Sequence, residues 1–134
     1  TKEDEAAPQQ VKEEIAELER RAEAGDARAQ FKLGQLFKKG RWVEQDLDRA
    51  FDLFSEAAQQ EHAKAQYVTG LMLSKGLGCE ADSESGFVFL QMAAEAGLTR
   101  AQRAVADLFI SGEGPEGQDL PTGFYWFRQG ATCC

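Results

Sequence analysis

The sequence predicts an all-α fold, an α-solenoid of three helix-pair repeats of about 36 residues preceded by one capping helix. Three observations carry that prediction. The dipeptide Ala-Gln recurs at Ala29-Gln30, Ala65-Gln66 and Ala101-Gln102, and a basic residue (Arg28, Lys64, Arg100) precedes each copy. Leu36, Met72 and Leu108 keep the same period, as do Phe37, Leu73 and Phe109, and Gly40, Gly76 and Gly112. Ala57-Ala58 returns as Ala93-Ala94 and then, one residue late, as Gly130-Ala131.

The elements follow in order. Residues 1–8 are polar, include Pro8 and read as a flexible tether; residues 9–134 read as one domain. The capping helix covers 9–24. Its end, Ala22-Glu23-Ala24-Gly25, matches Ala94-Glu95-Ala96-Gly97, so it is the second helix of a half-repeat, with Leu18 in the place of Phe54 and Leu90. The repeats span 25–60, 61–96 and 97–131. In the first, Ala29, Leu33, Leu36 and Phe37 share one helix face and Gly40 stops the helix. Asp46 then caps a second helix that turns Ala50, Phe51, Phe54, Ala57 and Ala58 inward. Gly76 and Asp82 repeat this punctuation in the second unit. Gly112, Asp119 and Pro121 repeat it in the third, Pro being tolerated in a first turn.

Composition limits the chemistry. Fifteen Lys and Arg against 23 Asp and Glu give a net charge of −8, which argues against a nucleic-acid partner, since neutralising phosphates needs a basic surface. No apolar run approaches the length of about 18 residues that a membrane span needs. One histidine, His62, leaves no room for a two-histidine metal site. Cys79, Cys133 and Cys134 are too few for a disulfide scaffold and lack metal-ligand spacing. Cys79 falls in a loop at one end of the second unit and Cys133 after a helix running to the other end, so no bridge between them is expected.

The stretch Gly25-Asp26-Ala27-Arg28-Ala29-Gln30 with Leu33-Gly34, Phe37 and Gly40 resembles the first helix of a Sel1-like repeat. Asp46, Ala50, Phe51, Phe54 and Ala57-Ala58 resemble its second helix. The second unit carries the same signals in Ala65, Gly70, Gly76-Leu77-Gly78, Asp82 and Ala93-Ala94, and Trp126-Phe127 looks like the aromatic pair in the third. Three positions depart from the pattern: Trp42 stands for the second loop glycine, Glu61 for a junction glycine and Ala106 for the helix glycine. The resemblance implies a tetratricopeptide-related, non-enzymatic protein-interaction module of a kind often found in exported bacterial proteins. It implies no cofactor and no metal.

Some motifs look chemical. Gly112-Glu113-Gly114-Pro115-Glu116-Gly117 fits the dinucleotide-binding spacing, but it follows a helix and places two carboxylates where a pyrophosphate would sit. It reads as an inter-helix loop. His62 reads as a junction residue at a helix start, with no activated nucleophile around it. The carboxylates Glu44, Asp46 and Asp48, and Glu80, Asp82 and Glu84, meet the positive ends of second helices.

The placement of charge is more informative. Segments 27–41, 63–75 and 99–111 carry nine basic residues and one acid, Asp107, inside a chain of net charge −8. By analogy with other helical-pair solenoids, these first helices line a concave groove. The groove-facing set would be Arg28, Phe31, Gln35 and Lys38 in unit one, Lys64, Tyr67, Leu71 and Lys75 in unit two, and Arg100, Arg103, Asp107 and Ile110 in unit three. Basic ends over an aromatic floor suit an acidic and apolar peptide segment of a partner protein. The competing reading pairs Arg28, Lys64 and Arg100 with Glu23, Glu61 and Glu95 across each junction.

The function expected is therefore a non-catalytic adaptor that binds a partner protein or peptide through its concave face. The alternative is an inhibitor or immunity protein that blocks a toxin or enzyme through the same scaffold, its acidic second helices meeting a basic partner. The first residue is Thr1, and the polar segment after it together with the resemblance favours the bacterial periplasm or export over the cytoplasm, although three cysteines fit an oxidising compartment poorly. Of the aromatic run Phe124-Tyr125-Trp126-Phe127, Phe127 and Trp126 are expected to pack inward. The rest would leave an apolar end that self-associates or takes a further helix.

Overall fold

In the computed structural model, residues 8–132 are described. The expected tether, save Pro8, lies outside that range, as do Cys133, Cys134 and the expectation about a Cys79–Cys133 bridge. Seven helices and no strands occur among the described residues. They are α1 (Gln9–Glu23), α2 (Ala27–Lys39), α3 (Leu47–Gln59), α4 (Ala63–Lys75), α5 (Ser83–Glu95), α6 (Thr99–Ser111) and α7 (Leu120–Thr132). Each packs mainly on the helix before it and the helix after it, the arrangement of a solenoid.

The punctuation works through caps. The Asp46 carboxylate accepts the Arg49 N–H at 3.0 Å, Asp82 accepts that of Ser85 at 3.1 Å, and Asp119 that of Thr122 at 3.2 Å. Each satisfies a helix-start donor that would otherwise be orphaned, worth about 1 kcal/mol. Gly40, Gly76 and Gly112 end α2, α4 and α6 in the left-handed conformation. The glycine-rich stretch 112–117 is the loop between α6 and α7.

Inside a repeat the two helices cross at small residues. A Cβ on Gly70 would meet the Gly86 carbonyl oxygen at 2.8 Å, and one on Gly86 would meet that of Gly70 at 2.7 Å. The middle pair therefore admits no side chain there. In the third repeat, Ala106 replaces the first glycine and Gly123 stands opposite, where a Cβ would come within 3.2 Å of the Ala106 carbonyl oxygen. The departure at Ala106 is absorbed by its partner.

Between repeats, a buried glutamine joins each first helix to the second helix before it. The Nε2 groups of Gln30, Gln66 and Gln102 donate to the carbonyls of Ala22, Ala58 and Ala94 at 3.1, 3.4 and 3.2 Å. Around these bonds the core runs along the stack, through Leu33, Phe37, Phe54 and Met72, then Ala57, Ala58 and Ala65, then Phe87, Leu90, Val105 and Phe109. Trp42 and Glu61 keep the left-handed backbone of the glycines they replace, with φ of 65° and 64°.

One packing expectation is corrected at the last helix. Trp126 is half-buried against the Phe87–Phe109 cluster, but Phe127 is 40% exposed, whereas its counterparts Phe54 and Leu90 are buried. Phe54 and Leu90 are closed off by α4 and α6 of the following repeats, and no described helix stacks on α7 in that way. Phe124 and Tyr125 are exposed beside Phe127.

Candidate partner-binding groove

The first helices α2, α4 and α6 start side by side along one face. Arg28, Lys64 and Arg100 each occupy the second position of their helix, where the positive end of the helix dipole adds to the side-chain charge. They are exposed, and none forms an ion pair among the described residues. The cross-junction pairs with Glu23, Glu61 and Glu95 do not form. The ion pairs among the described residues are Arg20 with Glu17 and Arg21 with Asp26. The hydrogen bond from Arg21, desolvation notwithstanding, holds the Asp26 carboxyl below its ordinary range.

These starts enclose a groove of about 1070 Å³. Among the described residues four cations line it, Arg28, Lys32, Lys64 and Arg100, and no carboxylate does. Phe31, Tyr67, Val68 and Leu98 supply its apolar surface, and Gln35 and Thr99 its neutral polar groups. A concavity with cations over aromatic rings recognises carboxylates by charge-assisted hydrogen bonds and apolar side chains by burial.

Of the residues predicted to face the groove, the structure brings together Arg28, Phe31, Gln35, Lys64, Tyr67 and Arg100. It does not bring Lys38, Leu71, Lys75, Arg103, Asp107 or Ile110 into that concavity. Leu71 packs against the core of the second and third repeats, and the Arg103 side chain lies beside Gly130 of α7. Eight lining residues escaped the sequence reading, two of them titratable, Lys32 and His62. Lys32 lies one turn after Arg28 on the same helix face, a spacing that could have flagged it.

His62 is the other. It is the N-cap of α4, its Nδ1 accepting the Ala65 N–H at 3.2 Å, so the neutral ring carries its proton on Nε2. Burial lowers its pKa from the ordinary value, and the neighbouring charges of Lys64 and Arg28 lower it further. Three features converge on it: a helix start, a basic row and the aromatic floor at Phe31.

Comparison with known proteins agrees with this architecture. A family model described as Sel1 repeat matches residues 27–62, 63–98 and 99–133. Among solved structures, a protective antigen present in uropathogenic Escherichia coli strains, displaying an SLR fold, is 32% identical with a TM-score of 0.83. The match covers 88% of this chain and 25% of the antigen, so the chain spans about a quarter of that protein's length. A Sel1 repeat protein from Oxalobacter formigenes is 28% identical with a TM-score of 0.80, and the match covers 89% of both chains. No curated protein sequence matches the chain.

Proposed function

We propose, for this chain that belongs to the Sel1 repeat family, that it is a non-catalytic adaptor binding an acidic and partly apolar segment of a partner protein along α2, α4 and α6. Sel1 repeat proteins generally mediate protein–protein interaction and are typically non-catalytic scaffolds. The observation that carries the finer reading is the charge of the groove. In a molecule of net charge −8, it gathers four cations that are unpaired among the described residues, and no described carboxylate lines it. Exposed cations at helix starts lose stability against the dipole, and the cross-junction pairs that would compensate them are absent. A ligand that brings carboxylates supplies the missing partner.

A site-specific photo-crosslinker separates this face from the second-helix face. Placed at Tyr67, on the groove floor, it should capture the partner through a segment rich in Asp and Glu. Placed at Val88, 54% exposed on α5, it should capture little. Capture through Val88 alone would move the interface to the acidic second helices and favour the inhibitor reading.

We also propose self-association through the exposed face of α7. Phe124, Tyr125 and Phe127 form an apolar end surface of the kind that is normally covered in a repeat stack.

A further inference from the structure

Beside the groove, and sharing Lys32 and Gln35 with it, lies a second concavity of about 330 Å³ between α1 and the loop after α2. Its walls are apolar: Val11, Ile15 and Leu18 from α1, Leu36 from α2, and the indole of Trp42. Lys39 and Arg41 stand at its rim with Glu14, and the Arg41 guanidinium lies 4.9 Å from the centre of the Trp42 ring.

The repeat itself shows why a cavity forms here. Trp42 occupies the position of Gly78 in the next unit, and Val11 that of Leu47. At Gly78 the loop lies flat on the preceding helix, so close that a Cβ would come within 2.2 Å of the Leu47 carbonyl oxygen. A tryptophan cannot approach that closely. The loop of the first unit therefore stands away from α1, and the gap between Val11 and Trp42 is the cavity. The tryptophan is also held at φ 65°, a conformation that costs a bulky residue free energy. An aromatic wall at a strained position that the next repeat fills with glycine points to use of the ring.

We propose that this cavity is an anchor subsite for one bulky apolar side chain of the same polypeptide segment whose carboxylates lie over Arg28, Lys64 and Arg100. The inference rests on the groove assignment above. The shared lining residues make the two concavities one path, and its volume suits a single large side chain rather than a helix. Charge complementarity fixes the kind of occupant. Four cations follow the anchor along the path, so the partner segment is acidic next to its apolar residue rather than uniformly hydrophobic.

Two fluorescein-labelled synthetic peptides test this on the full chain by fluorescence anisotropy. One alternates glutamate with glycine; the other adds a tryptophan–leucine pair at each end. The second should bind the wild-type chain roughly tenfold more tightly, the gain from burying one large side chain. Trp42→Gly, whose backbone suits the left-handed conformation, should erase most of that gain while leaving the plain acidic peptide's affinity within about twofold. Val11→Gln, in the cavity wall and not in the fully buried core, should do the same without adding charge to the path and guards against a folding defect in the first variant. Equal affinity of the two peptides for the wild type, or a gain that survives both variants, would overturn the anchor while leaving the groove assignment standing. Failure of the plain acidic peptide to bind the wild type would overturn both.

Discussion

The imidazole of His62 lies against the ring of Phe31, with centroids 4.8 Å apart and planes inclined by 33°. The contact joins the first helix of one repeat to the cap of the next and sets the floor of the groove between Arg28 and Lys64. It also partly buries a titratable group that must stay neutral at Nδ1 to hold its cap bond to the Ala65 N–H.

That requirement gives stability a pH dependence. The folded pKa of His62 lies below its ordinary value of 6.5, chiefly through burial. The unfolded chain therefore takes up the proton first, and the stabilisation is full above pH 6.5 and lost as pH falls through 6.5 toward the folded pKa. The melting temperature should drop between about pH 7.5 and 5.5, above the range where the carboxylates titrate. His62→Asn keeps a capping side chain without the titration and should flatten that slope. An equal slope in both proteins would show that His62 is not its source.

The buried glutamines make a second prediction. Gln30 Oε1 accepts from Gln60 Nε2 at 2.9 Å, while Gln66 Oε1 is buried without a partner. Position 60 corresponds to Ala96 in the next unit, so the missing donor is a side chain that this repeat lacks. Gln60→Ala should cost about 1 kcal/mol, and Ala96→Gln should stabilise by a similar amount, both read by urea denaturation. No change in either variant would mean that water already serves these oxygens.

The close approach at Gly78 makes a third. Gly78→Ala combines a left-handed φ with a Cβ driven into the Leu47 carbonyl and should cost about 2–4 kcal/mol. Gly117→Ala has the unfavourable φ but open space, and about 1 kcal/mol is expected. Chemical denaturation of the two variants side by side checks the ordering, and equal losses would contradict it.

The end surface makes a fourth. The sedimentation coefficient of the wild type should rise with concentration up to about 100 μM, and Phe124→Glu with Phe127→Glu should hold the protein monomeric with little loss of stability, since both side chains are exposed. A wild type that stays monomeric over the same range would retire self-association through α7.

Much of the scaffold was legible because its signals are local. Gly40, Asp46, Gly76, Asp82, Gly112 and Asp119 mark helix ends through the backbone conformation or the hydrogen bond that each residue supplies by itself, and the fixed period then orders the helices. The site was legible only in part. Arg28, Lys64 and Arg100 recur in register and could be seen, whereas Lys38 and Lys75 sit a full helix length away from the enclosed starts. His62 and Leu98 enter the groove through junctions, whose geometry depends on how successive repeats stack. Phe127 has the pattern of a core residue, but no described helix packs over it as α4 packs over Phe54, and periodicity alone does not register which neighbour covers a residue.

The most direct measurement is the affinity of an acidic partner segment for Lys64→Ala combined with Arg100→Ala, taken at low and high salt. The plain glutamate–glycine peptide serves as probe. Each lost charge-assisted contact is worth ~1.5–3 kcal/mol, so roughly tenfold to a hundredfold weaker binding is expected per side chain, with a melting temperature close to wild type because neither cation is ion-paired among the described residues. Added salt should weaken the wild-type complex more than the variant, whose screened attractions are already gone. Unchanged affinity in the double variant, with the same salt response as wild type, would contradict the groove as the binding face.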